Sequence, residues 1–313
     1  MRRIAAEPIK PLLKLHGGDP PRPPLLGYSS QRRPFMDTLK NKRNCVPFLK
    51  WAGGKRWLVN HCLHLVPAEI KTYIEPFLGS GAMYFALQPA RAILADVNLE
   101  LIQTFLAIKG DWKSVAKAIR KHHVRHSRDY YYRVRSSSPT ELSERAARLV
   151  YLNRTCWNGL YRVNRQGQFN VPVGTKTQVC LATDDFEQVH RLLSGASLVR
   201  ADFERVIKMA KSGDFLFVDP PYTTLHSENG FVKYNEKLFS WSDQVRLHDC
   251  LMQAQKRGAF FIATNADHHS IRQLYCEGFR VRSVRRASLI AADSDHRQSV
   301  RELLITPSEV KTT

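Results

Sequence analysis

Two kinds of apolar pattern alternate along this chain. Short runs closed by glycine, proline or a charged residue suit buried strands. Longer segments whose apolar residues recur every three or four positions suit amphipathic helices. Phe215-Leu216-Phe217-Val218 is a strand of the first kind, and it stops at Asp219-Pro220-Pro221-Tyr222. Similar runs are expected around Tyr73-Ile74, at 92–95, at 198–203, at 259–264 and at 302–305. Helical spacing covers 56–65, 82–87 and 99 to about 125, where Asn98 is the expected N-cap. It returns over 141–153, with Thr140 as N-cap, and over 240–256, which opens on the capping box Ser240-Trp241-Ser242-Asp243. Strand and helix alternate, so an α/β sheet is predicted.

Three stretches depart from this rhythm. Residues 1–45 hold Pro8, Pro11, Pro20, Pro21, Pro23, Pro24 and Pro34, and read as a disordered basic tail in which Met36 could be the true start. The segment from Asn153 to Pro172 is rich in Arg, Asn, Gln and aromatic residues and turns at Gln166-Gly167, which predicts a β-hairpin. The basic knot 121–128 places His122 and His126 four apart. With no Cys or acid beside them, a phosphate-contacting or solvated face is expected rather than a metal site.

Composition narrows the partner. The chain of 313 residues carries a net charge of +20, of which the tail supplies seven, so the folded part is basic too. That balance points to a polyanion, nucleic acid first. No stretch is long and apolar enough to span a membrane. The six cysteines form no C-x-x-C pair and no zinc spacing, which fits reduced thiols in the cytoplasm.

The candidate chemistry lies at strand ends. The two prolines after Asp219 remove two backbone donors and stop the strand, leaving a carboxylate and carbonyls at a sheet edge beside an aromatic ring. Such a rim suits a planar molecule bearing an exocyclic amine. Upstream, Glu75-Pro76-Phe77-Leu78-Gly79-Ser80-Gly81 links a strand to a helix, and Asp96 closes the next strand. Glycines there let the backbone approach a ligand, and the acid accepts from ribose hydroxyls. Without G-x-G-x-x-G, an adenosine ligand lacking a diphosphate fits better than a dinucleotide. Lys50-Trp51-Ala52-Gly53-Gly54-Lys55 supplies another glycine turn and a cation. Arg and Asn in the hairpin are the residue types that read purine edges.

These segments, in this order, resemble the Dam-type DNA adenine N6-methyltransferases of the D12 class and α-group, over about residues 47–307. The resemblance implies a Rossmann-like S-adenosylmethionine-dependent sheet with an inserted helical and β-hairpin target-recognition domain. It implies a cofactor and catalytic domain over 46–110 and 195–307, and DNA recognition over 111–194. By the same resemblance Trp51, Lys55, Glu75, Gly79, Gly81, Asp96 and Asp219 line the cofactor. Asp219, Pro220, Pro221 and Tyr222 form the catalytic set. Trp157, Asn158, Leu160, Arg162, Asn170 and Pro172 meet double-stranded DNA. GATC is the implied site, although Cys156-Trp157 and Tyr161 differ from residues common in the enterobacterial enzymes. The expected enzyme is a metal-free bacterial or phage monomer, nucleoid-associated and active in replication or restriction-modification. Cytosine N4-methylation, or site-specific DNA binding without catalysis, are the competing readings.

Overall fold

The structure, a computed structural model, describes residues 44–51, 54–164, 166–223, 239–286 and 300–308. All lie within the compact unit Arg33–Thr313. The tail expected over 1–45 falls almost wholly outside the described residues, as do Met36 and the polar loop expected from Thr223 to Tyr234, except for Thr223 itself.

Among the described residues, seven strands form one sheet: β1 (Tyr73–Glu75), β2 (Ala92–Asp96), β3 (Ala196–Arg200), β4 (Phe215–Val218), β5 (Phe260–Ala266), β6 (Phe279–Arg286) and β7 (Val300–Pro307). Their order is β3-β2-β1-β4-β5-β7-β6. The first five pair in parallel, and β7 runs antiparallel between β5 and β6. This is the expected α/β class.

Each face of the sheet is covered, which explains the unbroken apolar runs. In β4, Phe215 and Phe217 enter one core cluster with Phe48, Phe85 and Phe105. Leu216 and Val218 enter the other with Phe203, Leu247 and Leu251. All four residues of β4 are buried.

The helices are α1 (Arg56–Cys62), α2 (Ala82–Leu87), α3 (Leu99–Arg125), α4 (Arg128–Ser136), α5 (Leu142–Thr155), α6 (Phe186–Leu193), α7 (Phe203–Ile207), α8 (Trp241–Lys256) and α9 (His269–Tyr275). The Asn98 cap forms, its side chain accepting from Leu101 N, and so does the capping box at Ser240 and Asp243. Helix α3 breaks at Asp111, where φ is −142° and ψ 78°.

Three local expectations are corrected. Helix α5 starts at Leu142 rather than 141, and neither Thr140 nor the Glu141 side chain caps it. Helix α4 was not anticipated. Its exposed Arg128 and Arg133 and half-buried Tyr130 and Tyr132 mask a stripe of only two buried positions, Tyr131 and Val134, and Ser127 caps it by accepting from Tyr130 N. His122 is buried rather than solvated. It stacks on Tyr151 at 4.9 Å and hydrogen-bonds Tyr130, while His126 bonds the Tyr151 hydroxyl. The i, i+4 spacing thus serves an aromatic cluster. The thiols of Cys45 and Cys62 are pushed by burial to about 12, and those of Cys156 and Cys250 to about 11.

Candidate active site

Strand order reverses between β1 and β4, since β2 and β3 extend to one side and β5 to the other. In parallel sheets the crevice beyond the carboxyl ends at such a switch point is where ligands bind. Glu75 ends β1, Asp96 ends β2, and Asp219 directly follows β4. The sheet therefore gathers acids that lie far apart along the chain.

Asp219 is firmly held. Its Oδ1 lies 3.0 Å from Lys55 Nζ and accepts a short hydrogen bond from the Thr264 hydroxyl on β5. Lys55 is 3% exposed and sits just before α1. Its ammonium is also 3.4 Å from Glu302 Oε2 on β7 and 4.4 Å from the centroid of the Tyr222 ring. The Tyr222 hydroxyl donates to that same Glu302 oxygen at 2.7 Å. Burial pushes the Asp219 carboxyl above the ordinary aspartate range, and Lys55 and Thr264 oppose the shift. Burial, then the charges of Asp219 and Glu302, push the Tyr222 phenol well up. Pro220 is buried, and Pro221 is partly buried.

Glu75 is 2% exposed and accepts the Tyr73 hydroxyl at 2.9 Å. Burial raises its carboxyl strongly, and the nearby charges of Asp219 and Asp96 add to this. Asp96 accepts from Gly79 N at 3.2 Å and from Asn98 N at 2.9 Å. Burial raises its carboxyl too, against those backbone donors. Gly79 and Gly81 adopt left-handed φ of 50° and 68°, a conformation that favours glycine. A Cβ on Gly79 would come within 3.0 Å of Trp51 Cδ1. The glycine thus admits the indole, which stacks on Tyr161 at 5.2 Å.

The segment expected as a hairpin doubles back, but without a strand ladder. Isolated bridges join Cys156 to Val173 and Val163 to Phe169. Asn164 Oδ1 accepts from Gln166 N and Gln168 N and so shapes the turn. The root of this segment is buried. Arg154 donates to both oxygens of Asp184 and to the carbonyls of Val179 and Phe48. Asn153 clasps the backbone of Lys50. These two are structural anchors, unlike the residues at the tip.

Trp157 is 52% exposed, and Leu160, Pro172 and Arg162 are exposed as well. Asn158 has a left-handed φ of 54°. Arg162 Nε donates to Asn170 Oδ1 at 2.9 Å, so these two side chains are coupled. Tyr161 points inward and donates to Glu100 at 2.7 Å. A cleft of about 540 Å³ opens beside the segment, with Arg135, Arg145, Arg148, Asn164, Gln168 and Asn170 among its lining.

Sequence reasoning missed Thr264 and Glu302. Thr264 and Glu302 are polar residues inside strands β5 and β7, and nothing local ties them to residues 45 and 80 positions away. Among the described residues no group of three His, Cys, Asp or Glu could hold a metal ion, and no helix is long and apolar enough to cross a membrane.

Known proteins match this chain across most of its length. Type II methyltransferase M1.LlaDCHI of Lactococcus lactis subsp. cremoris is 36% identical over 276 residues, covering 85% of this chain and 97% of that protein. Type II methyltransferase M.MjaIII of Methanocaldococcus jannaschii is 32% identical, covering 83% and 98%. The DNA adenine methylase of Haemophilus influenzae is 32% identical, covering 87% and 97%. The family described as D12 class N6 adenine-specific DNA methyltransferase matches residues 51–288. With that match running from Trp51 to just past β6, the chain belongs to the D12 class of N6 adenine-specific DNA methyltransferases.

Proposed function

We propose that this enzyme transfers a methyl group from S-adenosylmethionine to N6 of adenine in duplex GATC, with the adenine turned out of the helix. The observation that carries the reading is Asp219 at the switch point, with Oδ1 occupied by Lys55 and Thr264. Its Oδ2 has no protein partner among the described residues, and so is left to accept from a substrate.

The donor set suits the cofactor. Asp219 and Glu302 flank Lys55, and Asp96 and Glu75 lie at the same strand ends, an acid-rich surround that suits a cationic ligand. Asp96 spends one lone pair of each oxygen on Gly79 and Asn98, and the remaining pairs can accept from ribose hydroxyls. Trp51, Lys55, Glu75, Gly79, Gly81, Asp96 and Asp219 would hold the group. When bound, S-adenosylmethionine supplies a methyl already activated by its sulfonium.

The chain's own task is then to align the amine. The adenine N6 lone pair is delocalised into the ring and is a poor nucleophile. Asp219 Oδ2 and the Pro220 carbonyl accept its two hydrogens and draw the lone pair toward the methyl. Tyr222 offers its ring to the extruded base, which must leave the stack to reach this buried edge. Asp219 need not be a strong base, because a proton can leave after transfer. Trp157, Asn158, Leu160, Arg162, Asn170 and Pro172 form the exposed face that meets DNA, with Arg162 and Asn158 reading bases and Trp157 wedging between them.

This divides the labour between 46–110 with 195–307, for cofactor and chemistry, and 111–194, for DNA. The break in α3 at Asp111 supports the boundary. The enzyme would act as a cytoplasmic monomer on nucleoid or phage DNA. The test is incubation with S-adenosylmethionine and unmethylated DNA, followed by GATC nucleases that are blocked by or dependent on methylation. Protection from the first and cleavage by the second are expected. Unchanged cleavage by both, with label still transferred to adenine, would replace GATC with another site.

A further inference from the structure

Strand β7 brings to the site an acid from beyond residues 51–288, the span that matches the family. Glu302 is 2% exposed and pairs in register with Ala266 of β5 on one side and Val284 of β6 on the other. We propose that Glu302 is a positioning residue for methyl transfer, holding Lys55 and Tyr222 in the geometry that orients Asp219. The proposal rests on the reading of Asp219 as the acceptor of the adenine amine.

The geometry is convergent. One oxygen, Glu302 Oε2, accepts the Tyr222 hydroxyl at 2.7 Å and stands 3.4 Å from Lys55 Nζ. Lysine is a compact charge on a flexible four-carbon stem, and a single carboxylate partner leaves it room to swing. Two carboxylates and an aromatic face, at 3.0, 3.4 and 4.4 Å, define one position. With Lys55 fixed, Asp219 Oδ1 is saturated and Oδ2 is turned to the substrate. With the phenol fixed, the Tyr222 ring cannot rotate away from the base it receives. Lys55 occupies one face of that ring.

A carboxylate buried this deeply is expensive unless paired, and here its partners are themselves reactive-site groups. Thr264 holds the far side of the same cluster, so β5 and β7 together brace a motif that hangs from β4. Glu302 touches neither substrate nor methyl in this arrangement. Its influence passes through Lys55 and Tyr222.

The test is single-turnover methylation of a duplex substrate by Glu302→Gln, which keeps size and an acceptor oxygen but removes the charge. The rate constant should fall about 10- to 100-fold, as expected for small misplacements of reacting groups. The Kd for DNA should stay within about threefold, because the lost interaction acts on the transition state. Residues acting as one unit are non-additive, so Glu302→Gln combined with Tyr222→Phe should be no slower than the slower single variant. A wild-type rate constant, a loss confined to KM, or losses that multiply in the double variant would each overturn the proposal. If Glu302→Gln does not fold, Glu302→Asp, with its charge at shorter reach, should give an intermediate rate; a wild-type rate there overturns it equally. Asp219→Ala run alongside separates the layers. Retained transfer in that variant removes the underlying reading. An inactive Asp219→Ala beside an unaffected Glu302→Gln removes only the positioning role.

Discussion

The sheet edge at Asp219 and the tip of the segment around Arg162 treat polar groups in opposite ways. At the edge, Lys55 meets two carboxylates and a ring, and Asp219 Oδ1 meets an ammonium and a hydroxyl. At the tip, Arg162 has one side-chain partner among the described residues, Asn170, and Trp157 stands half in solvent. Bond making requires charges fixed in a dry site, where they act strongly and need no reorganisation. Reading DNA requires donors that can leave a weak protein partner for a base edge and that stay hydrated otherwise. The segment contains both kinds: its root at Asn153 and Arg154 is buried and held by several hydrogen bonds, and its tip is not.

Changes at the edge should have the largest effects. Asp219→Ala should lower methyl transfer by about 10²- to 10³-fold, the scale of losing one preorganised hydrogen-bond partner of the transition state, while DNA binding in a gel-shift titration is unchanged. Equal loss of binding and transfer would dissolve the contrast between edge and tip. The same carboxyl predicts the acid limb of the pH profile. Its value is raised by burial, so the acceptor form is lost, and the rate falls, at a pH above the ordinary aspartate 3.8.

Next comes the root. Arg154→Met leaves the Asp184 charge without its partner and should reduce stability by about 3–5 kcal/mol, read from denaturant midpoints. A stable variant would mean that the segment is not anchored through this pair. At the tip, Arg162→Ala should cost about 1–3 kcal/mol of discrimination and relax site choice. Loss that is equal on all DNA sequences would instead assign Arg162 to phosphate.

The smallest effect concerns Glu75. Its folded value is raised well above 4.5, so its stabilising contribution is complete below 4.5 and is lost as pH rises through the folded value. Glu75→Gln mimics the neutral form. Melting temperature should then depend less on pH above 4.5, and at pH 8 it should equal or exceed that of the parent enzyme. A uniform drop at every pH would show that the carboxyl is needed for its shape rather than its protonation.

Much of the frame is legible locally. A Pro-Pro stop, a capping box at Ser240 and a glycine turn before α2 act within a few residues, so their physics is written in adjacent letters. Helix α4 and the burial of His122 were not legible, because each depends on Tyr151, contributed by another helix. The inward turn of Tyr161 onto Trp51 is of the same kind.

By itself, the sequence determined the alternation of strand and helix, the acid that ends β4, the basic character of the chain and the family its segments resemble. Only the tertiary structure decided that β7 runs between β5 and β6, and so that Glu302 meets Lys55 and Tyr222. Short-range sterics and capping act along the backbone and leave a periodic trace. Charge pairing across a sheet depends on strand order, which long-range packing sets and no local pattern records.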